Sequence, residues 1–298
     1  MTDRSDFKIL TQNIFADLPQ YRRLDERLEL IAHGIAAELP DVVAVQELVR
    51  AGACGDLGTR LVSAINQICG ETLYRLDYAR ADGSGESEYA FETGLALLSR
   101  TQRAGRAEIR KYGAQVRLTT TLGGINYRLP DDRVALRTSQ RLNGRVVLDT
   151  YVTHLTDQNE TSRTGVSIRL QQTHELIRFV GEASNPESSV ILAGDLNDVP
   201  DSETIGYLIE AGFVDVCAVA GSPPGFTNDR DDIRLDSDEA SHNQRIDYIF
   251  FRPGRGCGYQ IVDARPFLDR PRRDQNGGWL WASDHIGVSA TIRFTNGI

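Results

Sequence analysis

Residues 191–199 read ILAGDLNDV. An apolar run ends at Gly194, and Asp195, Asn197 and Asp198 follow at once. The same punctuation recurs along the chain. Strand-like runs end at Asn13 in LTQNIF, at Glu47 in VVAVQEL and at His154 in YVTHL. RIDYIFF holds Asp247, and Ser283-Asp284-His285 precede the last such run. Any one of these polar residues, taken alone, reads as a strand-end cap or turn residue. Six strand ends of one character read as a rigid scaffold aiming side chains into one cleft.

The residue types narrow the chemistry. Glu47, Asp195, Asp284 and Asn13 offer oxygen ligands. Cys54, Cys69, Cys217 and Cys257 are scattered without a CxxC pair, and Arg178 stands where a zinc helix beginning His174-Glu175 needs a second histidine. Hard oxygen donors select Mg²⁺ or Mn²⁺ over zinc. Such an ion takes one or two carboxylates plus substrate phosphate oxygens. His154 and His285 beside it would meet phosphate oxygens and move protons. The implied chemistry is metal-assisted phosphoester hydrolysis.

These groups need elements to position them. FKILTQNIF reads as an entering strand. In RLDERLELIAHGIAAEL, the spacing of Leu24, Leu28, Ile31, Ile35 and Leu39 predicts an amphipathic helix, stopped by Pro40. DVVAVQEL predicts a buried strand. LGTRLVSAINQIC predicts a second helix, with Leu61, Ile65 and Ile68 on one face. RVALRTSQRLNGRVVLDTYVTHL predicts a hairpin turning at Asn143-Gly144. A helix over SIRLQQTHELIRFVGEA, the strand SVILAGDL, a short helix over SETIGYLIEAGF and three late strands complete the pattern. Residues 221–244 lack periodicity and are rich in Pro, Gly, Asp and Ser, which predicts a functional lid or insert. Many strands with a few interspersed helices imply a layered α/β domain on two packed sheets. No composition break marks a linker, so residues 1–298 are expected to form a single domain.

Composition bounds the partners. The 298 residues are 40% hydrophobic and 25% charged, which suits a globular protein with a sizeable core. No apolar run approaches a membrane span. The N-terminus lacks the apolar stretch of a secretory signal, so a cytoplasmic location is expected. The net charge is −9, whereas duplex-binding proteins usually present a basic surface. Positive charge is local: eleven Lys and Arg residues fall between Arg100 and Arg145. Such patches on an acidic body suit a compact anionic substrate better than a nucleic-acid track.

The ordered set QN, QE, THL, GDLND, RIDYIF and SDH resembles the endonuclease/exonuclease/phosphatase superfamily over nearly the whole chain, from Asn13 to His285. The resemblance implies a four-layer α/β sandwich: two mixed sheets face to face, helices outside, and the site at one rim. It implies that Glu47 is the main Mg²⁺ ligand, supported by Asn13 through the metal's water shell. Asp195 resembles the carboxylate that orients or deprotonates the attacking water, and Asn197 the amide that holds a phosphate oxygen. His154 resembles the histidine that donates to the phosphate. His285 resembles the last catalytic histidine, Asp247 its paired carboxylate, and Asp284 a metal- or water-linked neighbour. Which of Asp195 and His285 is the base stays open. Arg169, with Gln172, resembles an Arg-x-x-Gln pattern that either braces the loop or touches phosphate. Arg137 of RVALR is the weaker phosphate candidate. The Tyr-x-Pro-Asn-Gly stretch of the repair branch is missing, and LGGINYRLPDDR stands in mid-chain instead. The expected activity is therefore Mg²⁺- or Mn²⁺-dependent hydrolysis of a small-molecule, lipid-headgroup or nucleotide phosphoester. A DNA or RNA nuclease is the alternative enzyme, and an inactive binding module on the same fold is the non-catalytic one.

Overall fold

The computed structural model describes residues 6–18, 20–83, 91–122, 125–142, 146–162, 164–221, 225–228, 235–238 and 243–296. In chain order the elements are β1 (Asp6–Asn13), α1 (Leu24–Glu38), β2 (Val42–Ala51), β3 (Gly55–Asp56), α2 (Leu57–Cys69), β4 (Arg75–Gly83), β5 (Phe91–Ser99), β6 (Glu108–Lys111), β7 (Val116–Leu122), β8 (Ile125–Asp131), β9 (Val134–Leu142) and β10 (Val146–His154). There follow α3 (Ile168–Ala183), β11 (Ser189–Asp195), α4 (Glu203–Glu210), β12 (Val214–Asp215), α5 (Val216–Ala220), β13 (Asp247–Arg252), β14 (Gly258–Phe267), β15 (Arg272–Arg273), β16 (Trp279–Leu280) and β17 (Gly287–Asn296).

Two mixed sheets form the body. The first runs β14-β17-β1-β2-β5-β4, with β3 added to β2; the second runs β12-β13-β11-β10-β9-β6. Each has one parallel pair, β1 with β2 and β10 with β11. Parallel neighbours need a crossover, and α1 and α3 supply the two. The predicted hairpin is present as the antiparallel pair β9–β10; its Asn143-Gly144 turn lies outside the described residues.

Strand parity explains the layers. On β1, Phe7 and Ile9 point into a core between the sheets, while Leu10 packs toward the helices. Leu148 and Val152 of β10, Ile191 and Ala193 of β11, and Ile249 and Phe251 of β13 meet them from the second sheet. Outside the first sheet lie α1 and α2, through Leu28, Ile31, Ile35, Leu61 and Ile65. Outside the second lie α3 and α4, through Leu176, Phe179, Ile205 and Leu208. The result is the four-layer sandwich. Leu39 and Ile68 fall at or beside the helix ends and are 38% and 39% exposed rather than part of the buried faces. Among the described residues no helix is long and apolar enough to cross a membrane.

Candidate active site

The parity that fills the core also builds the site. Side chains two residues apart share a face of a strand. The inward sets 148–152, 191–193 and 249–251 therefore carry His154, Asp195 and Asp247 to the inter-sheet face at one rim. On β1, Phe7 and Ile9 carry Asn13 to the same place. Glu47 breaks this rule, since Val42 and Ala44 face inward and would bring Gln46 to the rim. A bulge against β5 between Val45 and Leu48, with Glu47 at φ 58°, re-aims the carboxylate. Gln46 instead turns to Thr11 on β1.

A cavity of about 190 Å³ opens there, lined by Glu47, Arg133, His154, Asp157, Asp195, Asn197, Asn228, Ile246, Asp284 and His285. Asp195 is its centre. One carboxylate oxygen accepts the Asn197 backbone N–H at 2.9 Å. The other accepts Asn13 Nδ2 at 3.1 Å and faces His154 Nε2 at 3.3 Å and His285 Nε2 at 3.7 Å. Asn13 Nδ2 also donates to Glu47 Oε1 at 2.9 Å. Its Oδ1 accepts the Phe15 amide at 3.0 Å, which fixes the amide's orientation. Asn13 thus turns its amino group to Glu47 and Asp195 and bridges the two carboxylates.

On the other flank, His285 Nδ1 pairs with Asp247 Oδ2 at 2.9 Å. Thr227 Oγ1 accepts the Ile246 and Asp247 amides at 3.0 and 3.2 Å, so the first part of the 221–244 stretch pins the start of β13. Ser283 Oγ donates to the Asn13 carbonyl at 2.7 Å and ties the SDH turn to β1. Asn197, at φ 53°, donates from Nδ2 to the Leu155 carbonyl and to His154 Nε2, each at 3.0 Å. Nε2 of His154 is therefore an acceptor, and the ring proton belongs on Nδ1. Gly194 makes the arrangement possible. Its φ is 146°, and a Cβ there would come within 2.0 Å of the Thr153 carbonyl oxygen.

Burial and charge divide the titrating groups. Burial lowers His154 well below an ordinary histidine, and Arg133 and His285 push the same way, so it is neutral. Burial also works against charge on His285, but Asp247, Asp284 and Asp195 raise it well above the ordinary value, so it is an imidazolium. Burial first, then Asp247, pushes Asp195 up to about 7. Burial pushes Asp284 up to about 6, with His285 opposing and Glu47 adding to the rise.

Two groupings offer places for a metal. Ligand atoms of Asp195, Asp247 and His285 lie within 4.8 Å of one another. There, however, His285 Nδ1 and Asp247 Oδ2 already satisfy each other. Glu47 and Asp284 line the same cavity, and Glu47 raises the cost of ionising Asp284. A hard divalent cation between them fits that donor set, because it removes the like-charge penalty.

Arg137 and Arg169 do not reach the cavity. Arg137 lies on β9, bonded to Glu108 and, at 2.9 Å, to the buried Asp149. It shares the face of Ala135 and pairs in register with Tyr151, which puts it on the helix side of the second sheet rather than on the inter-sheet face at the rim. Arg169 is buried on α3, donating to the Thr156 carbonyl at 2.8 Å and facing Asp198 at 3.4 Å; it braces the loops after His154 and Asn197. The arginine that does line the cavity is Arg133, just before β9, held by Asp131 at 3.0 Å. The sequence signal for it was its place at the head of RVALR, one residue ahead of the strand. Asn228, Ile246 and Asp157 also line the cavity without having stood out as site candidates. Most of the acidic lid read over 221–244 lies outside the described residues. Within the described part, Trp281 binds the Leu235 and Ser237 carbonyls, both at 2.9 Å.

Residues 10–285 match the family model described as the Endonuclease/Exonuclease/phosphatase family. The chain belongs to that family. Members of the family are phosphoester hydrolases, nucleases among them. No curated protein matches the sequence significantly. Among solved structures, an endonuclease/exonuclease/phosphatase family protein from Leptotrichia buccalis aligns at TM-score 0.68 and 19% identity, covering 97% of this chain and 100% of that one. D. rerio TDP2 complexed with single strand DNA product aligns at 0.61 and 18%, covering 97% and 100%. The human Nocturnin catalytic domain with bound sulfate aligns at 0.63 and 18%, covering 98% and 94%. At these identities the likeness is one of fold.

Proposed function

We propose that this protein is a Mg²⁺- or Mn²⁺-dependent phosphoesterase acting on a compact anionic phosphoester. The observation that carries the reading is one rim cavity in which Asp195 Oδ2 lies 3.7 Å from His285 Nε2 while His285 Nδ1 pairs with Asp247. Glu47 and Asp284 would hold the ion, with Asn13 orienting Glu47. An ion held there would supply neutralisation of the charge developing on the phosphoryl group. Asp195, its pKa near neutrality, takes a proton from water. The water oxygen forms the new bond to phosphorus, and the ester P–O bond breaks. The alcohol leaves with its oxygen, is protonated from solvent, and the Asp195 proton returns to solvent. In this reading His285 is protonated and is not that base; its Nε2–H meets phosphoryl charge, and Asp247 fixes the ring. The Nδ2 hydrogens of Asn197 are engaged by Leu155 and His154, so Arg133 at the cavity wall offers the further donor to a phosphate oxygen.

The acidic body and the missing repair-branch stretch favour a small substrate over duplex DNA. A nuclease remains the second reading because TDP2, of the same fold, is seen with a DNA product. Competition decides. At saturating Mg²⁺ and moderate salt, hydrolysis of small phosphodiesters, phosphomonoesters and nucleotides is compared with cutting of plasmid and abasic duplex. Higher kcat/KM on a small ester is expected. Higher kcat/KM on duplex than on every small ester would overturn the proposal.

A further inference from the structure

A second cavity of about 180 Å³ adjoins the first. The two share Glu47, Arg133 and His154. Its remaining walls have a different character: Ala16, Leu18, Val49, Ala81, Leu95 and Val134 supply apolar surface, and Thr93, Asp131 and Asp132 a polar edge. The volume is that of roughly six waters at about 30 Å³ each, enough for one ring or a short branched chain.

Irregular backbone makes this space. The β2 bulge turns Glu47 into the wall between the cavities. A second bulge, on β4 between Arg80 and Asp82, leaves Ala81 without a β5 partner at the floor. Gly94 faces the same floor; a Cβ there would come within 2.3 Å of the Ala79 carbonyl and 2.6 Å of the Tyr78 ring. The segment carrying Ala16 and Leu18 follows Asn13 and includes left-handed Phe15 and Asp17, at φ 50° and 53°. Two bonds from the buried Arg27 guanidinium, to the Ile14 and Phe15 carbonyls at 2.9 and 2.8 Å, hold it there. Non-glycine residues persist in that conformation where the surroundings over-determine them.

Charge decides what such a space accepts. Asp131, Asp132 and Glu47 face it against Arg133, and Arg133 is already bonded to Asp131 while Lys111 holds Asp132. His154, between the cavities, is neutral. A second phosphate finds no uncommitted cation among these residues.

We infer that this cavity is the subsite for the alcohol that stays on phosphorus when a phosphodiester is hydrolysed, and that it selects an uncharged or cationic group of about one ring in size over one bearing a further phosphate. The inference rests on the phosphoesterase reading of the adjoining cavity. Glu47 and His154, shared by both, mark the junction where the ester oxygen lies. The apolar wall then covers the carbon skeleton, and Asp131, Asp132 and Thr93 accept from its hydroxyl or ammonium groups.

The test is a set of p-nitrophenyl phosphodiesters whose second alcohol is methyl, phenyl, 2-aminoethyl or 2-phosphoethyl, assayed with Mg²⁺. The intact protein is expected to give kcat/KM for the phenyl and aminoethyl esters at least about tenfold above the phosphoethyl ester. Ala81→Phe fills the floor. It is expected to raise KM for the phenyl ester about tenfold and to leave the methyl ester within about twofold. Thr93→Leu narrows the same space from β5 and serves if Ala81→Phe fails to fold, with thermal melts run on both. Equal effects on phenyl and methyl esters in a folded variant, or preference for the phosphoethyl ester, would overturn the subsite. Absence of hydrolysis of every ester in the intact protein would instead overturn the phosphoesterase reading on which it stands.

Discussion

The two sheets meet at one rim but bring different chemistry to it. The second sheet supplies His154, Asp195, Asn197 and Asp247, a set suited to holding and moving protons. The first supplies Asn13 and Glu47, and the turn before β17 adds Asp284 and His285. Glu47 and Asp284 are the carboxylates suited to a cation. Two hydrogen bonds clasp the halves, Asn13 to Asp195 and His285 to Asp247. Within the second sheet's set, His154, Asp195 and Asp247 follow from strand parity, each continuing an apolar inward row, while Asn197 stands just beyond β11. The cation-binding set depends on a bulge and a turn. Regular pleating thus positions the groups that must hydrogen-bond one another, and irregular backbone positions the carboxylates that would otherwise repel.

The sharpest break in this division is Glu47→Gln. It removes a charge from the cation side and leaves the proton side intact. We expect turnover to fall by roughly 10³, since the bound ion contributes several kcal/mol of charge stabilisation and each 1.36 kcal/mol is tenfold. Mn²⁺ affinity, followed by calorimetry, should weaken in parallel. Full activity in Mg²⁺ would remove Glu47 from the metal site.

Gly194→Ala attacks the other side. A methyl group 2.0 Å from the Thr153 carbonyl oxygen forces β10 and β11 apart at the point where His154 and Asp195 meet. Overpacking of this kind costs about 3 kcal/mol, visible as a lower urea midpoint. Folded variant should lose activity while binding Mn²⁺ as the parent does. Lost Mn²⁺ binding would show that the two sides are not separable.

The same contrast marks what could be read from the sequence. The helix of Leu24, Leu28, Ile31 and Ile35 was legible because its period is strong. Asp195 and Asp247 were legible because ILAGD and RIDYIFF place them at the ends of rows that must be buried. Glu47 was legible only as a motif; periodicity alone would have brought Gln46 to the rim. β4, with Asp77 and Arg80 interrupting its apolar residues, gave no clear strand signal, and its bulge at Ala81 gave none at all. Arg137 shows the converse. It sits near motif residues in sequence, yet its charge is spent on Asp149 on the helix-facing side of the second sheet.

Asp247→Asn sharpens the clasp. We expect a fall in kcat of about ten- to a hundredfold, less than for His285→Ala, together with a displaced pH profile. Activity requires Asp195 ionised and His285 protonated, so the acid limb reports the first and the basic limb the second. Asp247 raises both pKa values. Its neutralisation should lower both, and the whole bell should move to lower pH. A basic limb that stays in place would show that His285 is not the group titrating there.

The smallest expected effect belongs to Arg169, which lies behind the proton-handling side. Its guanidinium donates to the Thr156 and Asn159 oxygens and faces Asp198, so it joins the loop after His154 to the loop after Asn197. Lysine keeps the charge but cannot span three acceptors in one plane. Arg169→Lys should therefore loosen the His154–Asn197 contact without emptying the cavity of any group. We expect kcat to fall about three- to fivefold with KM unchanged, because the loss is one of alignment rather than of a substrate contact. A large rise in KM with kcat preserved would mean that Arg169 reaches the phosphate during turnover. That outcome would require the loop after Asn197 to move, and would make the second sheet's rim as irregular in action as the first is in structure.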